Sequence, residues 1–348
     1  MRENFSQDQG LLDEPVSDPL SLYRLRDGLM AVDLLAAAIS HLDFFTWLSG
    51  HPSTLGAICV QFGIQTRPAD VLLTLTTAMG LTTEAGGVFH VTLRAREHLV
   101  QGSLFCLKPY YDTLRERPQT RECLEVLRTG RPANWGSSHS DAWAAAMESE
   151  AFADGFTAAM DCRGVVLGPA LAKRLHLEEH RAVLDVAGGS GIYACAIAAA
   201  HPHIRASVFE KPPVDGIAAR AIAKRGFGER VSVVAGDMFE GEWPQGFDVI
   251  LLSNMLHDWG EEVVQSLLKK AAAALPSGGL LVLHDAFLNA QKTGPLPVAQ
   301  YSVLLMHSTE GRCYSLGEMR SWLEQVGVEM LEHHPTAVDR SCVIARKV

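Results

Sequence analysis

Residues 183–191, Val-Leu-Asp-Val-Ala-Gly-Gly-Ser-Gly, constrain the fold more than any other stretch of the chain. Val183 to Ala187 read as a short apolar strand, after which Gly188, Gly189 and Gly191 strip the turn of side chains. Ile192 to Ala200 follows, rich in alanine and isoleucine and free of glycine and proline, so it reads as a helix. Strand, glycine turn and helix let a backbone approach a nucleotide closely and aim helix N-terminal amides at it. A glycine pattern by itself is weak. Here the strands that follow add to it.

From Val183 onward, strands and helices alternate. Strands are expected near 183–187, 205–209, 230–235, 247–252, 280–284, 327–332 and 341–346, with helices between most of them. His333 to Arg340 is short and contains a proline, so the last two strands should be antiparallel. The fold class is therefore α/β, a doubly wound and mostly parallel seven-stranded sheet with its ligand at the carboxyl ends of the strands.

Upstream, apolar residues recur at helical spacing from Ser21 to Leu48: Leu22, Leu25, Leu29, Val32, Leu35, Ile39 and Leu42. So much apolar surface near one terminus needs a partner domain or subunit to cover it. Residues 53–100 change rhythm to a capped short helix at Ser53–Cys59, a longer helix at Arg67–Gly80, and a strand at Val88–Thr92 headed by Gly86-Gly87. That is the plan of a winged helix. Arg67 is the only basic residue from Ser53 to Phe89, so the plan reads as a packing or dimerisation module and not as a DNA reader. Residues 101–180 form an aromatic helical bridge containing Phe105, Tyr110, Tyr111, Trp135, Trp143, Phe152 and Phe156, with a loop at Gly130, Pro132 and Gly136. Three regions follow: 1–100, 101–180 and 181–348.

Composition narrows the partners. A chain of 348 residues with 47% hydrophobic and 20% charged content is globular with a sizeable core. A formal charge of -10 argues against nucleic acid and anionic membrane as partners. The polar start MRENFSQDQG predicts neither a signal nor a transit peptide, and Asp33, His41 and Asp43 make Leu29–Leu48 too polar to span a membrane. Seven scattered cysteines without a Cys-x-x-Cys pair fit a reducing cytoplasm and predict no metal framework. His176-Leu-Glu-Glu-His180 matches the H-x-x-E-H order of zinc proteases. Its place among Lys173, Arg174 and Arg181, just before the first strand, reads instead as a polar connection.

Chemistry is expected at successive strand ends. Glu210 closes the second strand roughly 20 residues past Gly191, where an acid accepts from ribose hydroxyls. Gly236-Asp237-Met238 closes the third, offering a carboxylate and a soft thioether to an adenine. The fourth runs into Ser253-Asn-Met-Leu-His257-Asp258-Trp259, which sets an imidazole able to take a proton near neutrality at the sheet edge. The fifth ends in Asp285, an acid placed to hold and polarise His257.

With these residues in view the chain resembles the class I S-adenosylmethionine-dependent methyltransferases, and more narrowly the O-methyltransferases that include the acetylserotonin and caffeic-acid enzymes. The shared points are Leu-Asp-Val-Ala-Gly-Gly-Ser-Gly, Phe209-Glu210, Gly236-Asp-Met-Phe239, Leu256-His-Asp-Trp259, Leu275-Pro-Ser-Gly-Gly279 and Thr309-Glu-Gly311. The resemblance implies S-adenosylmethionine as methyl donor, S-adenosylhomocysteine as product, and a homodimer joined through the N-terminal helices. It implies a donor site at Asp185, Gly188, Gly189, Gly191, Glu210, Gly236, Asp237, Met238 and Ser253. His257 becomes the base, with Asp285 and Asp258 beside it. Phe156 to Gly164 resembles the family helix that touches both ligands and sets Met160 against the acceptor; Trp259 and Glu310 complete that side. Four departures stand out: Ala187 for the first glycine, Ser253 for a frequent lysine, Asp285 for a glutamate, and Cys313 for a second orienting glutamate, with Glu310 nearby.

Other readings compete. With weaker acid support for His257, an S- or N-methyltransferase acting on a small carboxylate-bearing acceptor, anchored by Arg163, Tyr110 and Tyr111, needs no strong base. Gly189-Ser-Gly191-Ile-Tyr-Ala194 also fits the G-x-G-x-x-A of an NAD-dependent dehydrogenase. A ligand-sensing winged-helix regulator is the binding-module reading.

Overall fold

The computed structural model describes residues 10–133 and 146–348, so Trp135, Gly136 and Trp143 lie outside the described residues. The seven expected strands are all in place. They are β4 (Ala182–Val186), β5 (Arg205–Glu210), β6 (Val231–Ala235), β7 (Val249–Ser253), β8 (Leu280–Asp285), β9 (Val328–Pro335) and β10 (Ser341–Lys347). Their order is β6-β5-β4-β7-β8-β10-β9; β4 to β8 pair in parallel, and β10 runs antiparallel to both β8 and β9. The chain winds outward from β4 to β6 and returns to β7 on the other side of β4. A crevice opens at the carboxyl edge of such a reversal.

Alternating side chains send one set to each face of the sheet. Val183, Val208, Leu251 and Val282 pack with the Ile192–Ala200 helix and the end of the long Glu150–Ala172 helix. Leu184, Ile250, Leu252 and Leu283 pack with the Glu261–Ala274 and Leu316–Gln325 helices. Covering both faces is what makes β7 and β8 apolar throughout most of their length. Gly164 lets the long helix lie against the helix after the glycine turn, because a Cβ there would stand 2.2 Å from Ile192 Cγ2.

Ahead of the sheet, β1 (Ser53–Thr54), β2 (Thr82–Ala85) and β3 (Val88–Val91) form a small antiparallel sheet in the order β1-β3-β2. Two helices, Leu55–Phe62 and Thr66–Ala78, lie between β1 and β2. The core of this region also takes in the Pro118–Thr129 helix, the Leu296–Ser308 helix, and Ala286, Leu288 and Cys313 from the sheet side.

The apolar periodicity over 21–48 predicts one run, but the structure breaks it. Helices cover Leu20–Asp27, Ala31–Ala36 and Phe44–Gly50, with a π-turn at Ala37–His41 and a left-handed Asp43 (φ 49) at the bend. Past the break at Gly28 the chain turns inward. Leu35 and Ile39 are buried, whereas Leu22 (70% exposed) and Leu25 (77% exposed) face outward with Leu29 and Val32. Asp33 is fully buried, accepting from Thr120 Oγ1 at 2.9 Å with Arg117 Nε 3.4 Å away. Among the described residues no single helix is long and apolar enough to cross a membrane, although the bent pair Leu20–His41 and Phe44–Gly50 is so by length and composition.

Candidate active site

His257 lies in a 3-10 turn, Leu256–Asp258, just past the end of β7, and Asp285 is the last residue of the neighbouring β8. Parallel pairing sets Ser253 opposite His284, so the residues leaving both strands meet at the same edge. His257 Nδ1 is 2.5 Å from Asp285 Oδ1, which also accepts the Ala286 amide at 2.7 Å. The shorter acid therefore reaches the imidazole in full, because its strand continues to the sheet edge. With Nδ1–H given to Asp285, Nε2 is the ring nitrogen left over, 3.6 Å from Asp258 Oδ1.

Electrostatics of the pair are one-sided. Burial opposes charge on both partners. The Asp285 carboxylate, with Tyr301 and Asp258, outweighs it at His257 and raises the imidazole well above its usual range. Asp285 is burdened by the same burial, yet His257 and the Ala286 amide hold it below the carboxylate range. Asp258 keeps 43% of its side chain open to the crevice; the surrounding walls raise its pKa by burial, against the pull of His257 and Arg163. The base form of His257 thus appears as pH rises through a raised pKa. Asp285→Asn removes the charge that raises it. The acid limb of kcat/KM should move to lower pH, while the plateau falls roughly 10- to 100-fold from lost orientation. A pH–rate profile checks both, and an unmoved limb would break the link between this pair and the proton.

On the other side of the crevice stand the ends of β4, β5 and β6. Asp185 is fully buried, and neither carboxylate oxygen has a partner in hydrogen-bond geometry; burial raises its pKa to about 7 against the nearby Ala194 amide. A Cβ on Gly188 would stand 2.6 Å from that carboxylate, so only glycine lets the turn lie over it. Ala187, where the family has glycine, does adopt the left-handed conformation (φ 53) that favours glycine. Glu210 accepts the Gly189 amide at 3.1 Å and its neighbour Lys211's at 3.0 Å, yet burial still lifts it to about 7. Asp237 accepts the Phe239 amide at 2.8 Å, and Met238 packs in the core below, its carbonyl taking the Trp243 indole N–H at 2.8 Å. An orphaned carboxylate under a bare glycine turn, followed by two more strand-end acids, fits the cationic nucleoside S-adenosylmethionine.

Some expected residues stand elsewhere. Tyr110 is exposed and Tyr111 packs against the N-terminal core; both ride the Lys108–Asp112 helix packed on the Ala37–His41 turn. Trp259 turns toward the donor side, its ring edge-on to Phe239 at 4.8 Å. Glu310 is exposed and makes no described bond to His257, so it does not replace the acid missing at Cys313. Cys313 is fully buried, its amide on Ser302 Oγ. Among the described residues no group of three His, Cys, Asp or Glu converges on a metal position; His176 is exposed, and His180 sits 3.8 Å from Asp248.

Several partners of the strand-end residues escaped that reading. Ser253 Oγ meets His284 Nδ1 at 3.0 Å, Asn254 Nδ2 donates to Tyr193 at 3.0 Å, and His284 Nε2 meets Thr336 at 2.9 Å. Burial drives His284 down to about 3, so this ring is neutral. Tyr301 lies edge-on to His257 at 5.6 Å and carries Arg340 over its ring at 4.2 Å; Arg340 in turn holds Asp27 at 2.9 Å. His284 was available in Leu-His-Asp and Tyr193 in the glycine string. Asp27, Tyr301 and Arg340 carry no local signal.

Proteins of known activity and structure resemble this chain over nearly its whole length. A crystal structure of an O-methyltransferase family 2 protein from Planctomyces limnophilus in complex with apigenin matches with a TM-score of 0.87 at 33% identity, over 98% of this chain and 99% of that one. The 3-hydroxy-5-methyl-1-naphthoate 3-O-methyltransferase of Streptomyces sahachiroi is 30% identical over 313 residues, 89% of each chain. Acetylserotonin O-methyltransferase of Bos taurus is 28% identical over 92% of this chain and 95% of that one. The family model of the O-methyltransferase domain matches residues 122–329, and with it the chain belongs to the O-methyltransferase family.

Proposed function

We propose that this enzyme moves a methyl group from S-adenosylmethionine to a hydroxyl of a small aromatic acceptor, with His257 as the base. The observation that carries the reading is the 2.5 Å His257–Asp285 pair, which leaves the second ring nitrogen to meet an acceptor. S-adenosylmethionine, when bound, supplies an electrophilic methyl on a positively charged sulfur. Asp185, Glu210 and Asp237 hold the donor's polar groups, and Gly188, Gly189, Gly191 and Gly236 give its approach room. Met238 follows β6 and Ser253 ends β7, on either side of the β5 and β4 ends. His257 Nε2 takes the acceptor's hydroxyl proton as the oxygen gains the methyl, and Asp285 stabilises the imidazolium that forms. Asp258 keeps a carboxylate beside the same nitrogen, while Phe156 and Met160 wall the acceptor. Positioning and exclusion of water supply the rest.

The buried dyad favours oxygen over a thioether or amine, for which no such base is needed. The relatives' apigenin and naphthoate point the same way, toward flat hydroxylated rings. The exposed row Leu22, Leu25, Leu29 and Val32 supports a homodimer in a cytoplasmic enzyme, with 1–100 as a winged-helix dimerisation module, 101–180 as the bridge and 181–348 as the catalytic domain.

The test is direct. Calorimetric titration with S-adenosylmethionine and S-adenosylhomocysteine should show saturable binding, and mass spectrometry of a hydroxylated-aromatic library should find methyl ethers. Donor binding without any methylated product would overturn the acceptor reading; absence of donor binding would overturn the whole.

A further inference from the structure

Arg163 is the buried cation that the reaction leaves without work. It shares a face of the Glu150–Ala172 helix with Phe156 and Met160, one turn past Met160. Three other arginines of the interior have acceptors for their terminal nitrogens, although Arg340 Nε is unbonded. Arg340 holds Asp27 at 2.9 Å, Arg312 holds Glu318 at 2.7 Å and Asp70 at 3.4 Å, and Arg67 donates to the carbonyls of Met306, Thr309, Gly311 and Gly130. Arg163 differs. Its Nη1 donates to the Met160 sulfur at 3.5 Å, and its Nη2 is shut off from solvent with no acceptor at all. A guanidinium has five donors, and a thioether is a poor acceptor for any of them. The Tyr301 phenol is its other neighbour, and a buried Nη2 left with no acceptor costs free energy, which marks that nitrogen as waiting for one.

Its position indicates which partner. Tyr301 neighbours both groups, its ring 5.6 Å from the His257 ring and its phenol beside the guanidinium. Asp258 feels Arg163 across the same crevice. Met160, half-buried and unbranched, has rotamers to spare and can give up its contact. We infer that Arg163 receives a carboxylate of the acceptor, so that the enzyme selects compact aromatic hydroxy acids with the hydroxyl at His257 and the acid on the guanidinium. A planar guanidinium matches a carboxylate with two parallel hydrogen bonds. This rests on His257 being the base.

The test compares 2-, 3- and 4-hydroxybenzoate with their methyl esters under saturating donor, in wild type, Arg163→Gln and Arg163→Lys. Wild type should prefer at least one acid over its ester by roughly 10- to 100-fold in kcat/KM. Arg163→Gln should collapse that ratio toward one, mostly through KM of the acid, and Arg163→Lys should restore part of it. Calorimetry of the same acid into the complex with S-adenosylhomocysteine should show a matching loss of affinity, with donor-product binding and melting temperature measured alongside. Equal losses for acid and ester would make Arg163 a structural support for Tyr301 and overturn the inference. So would a wild-type enzyme that methylates esters or neutral phenols as well as acids, and in that case His257 as base still stands. Methylation of no hydroxyl at all would remove the base reading and this inference together.

Discussion

His257→Ala should lower kcat by roughly 10²- to 10⁴-fold while leaving affinity for S-adenosylhomocysteine nearly unchanged. The split follows from where the side chain stands. The ring stands in the turn after β7 and, among the described residues, hydrogen-bonds Asp285 alone, whereas the glycine turn and the acids of the donor side come from β4, β5 and β6. Removing the imidazole leaves the hydroxyl to lose its proton to water, and no donor-side hydrogen bond is touched. The loss should shrink for acceptors of low hydroxyl pKa, which need a base least. Steady-state kinetics over a series of substituted phenols, with calorimetry on the same protein, makes the comparison. If kcat barely moves for every acceptor, His257 does not take the proton. If donor-product affinity collapses as well, the variant has disturbed the sheet edge and tells little about catalysis; His257→Gln, closer in volume, then repeats the measurement.

The second large effect is on stability. Asp27 and Arg340 are buried, 7% and 3% exposed, and paired at 2.9 Å, with Arg340 Nε left unbonded and its guanidinium over Tyr301. Asp27→Leu leaves a full positive charge inside the protein, and should lower the unfolding free energy by about 3–5 kcal/mol. Arg340→Met leaves the opposite charge and should do likewise. The double variant Asp27→Leu with Arg340→Met removes both charges and should recover most of the loss, since the pair's attraction only offsets the desolvation of its members. Denaturant unfolding of the three variants completes the cycle. Single variants as stable as wild type would show that water enters to solvate the remaining charge. Because Tyr301 connects Arg340 to His257, the single variants should also lose activity at temperatures where they remain folded.

This pair also shows where reading the chain in order fails. The strand pattern, the glycine turn, the acids closing successive strands and the imidazole after the fourth strand were all legible, because each is written in neighbouring residues with a period or a turn chemistry. His257 and Asp285 lie on consecutive strands of the sheet, so the alternation itself brings them together. Acids and apolar residues at the N-terminus, by contrast, misled. The apolar spacing over 21–48 is helical throughout, but Gly28 and Asp43 bend it, and the side chains on either side of each bend face different surroundings. Tyr110 and Tyr111 have the right chemistry for an acceptor site, yet their short helix packs on the N-terminal turn.

The doubly wound sheet and the chemical order along its carboxyl edge are written in neighbouring residues, since both arise from local periodicity and short turns. Which charges have partners is settled by long-range packing. Asp27 meets Arg340 across 313 residues of chain, and Arg163 meets no carboxylate among the described residues, although acids are plentiful near it in sequence. Periodicity places a side chain on a face. Whether a buried charge is matched depends on the distance to groups brought in by other elements, and packing alone sets that distance.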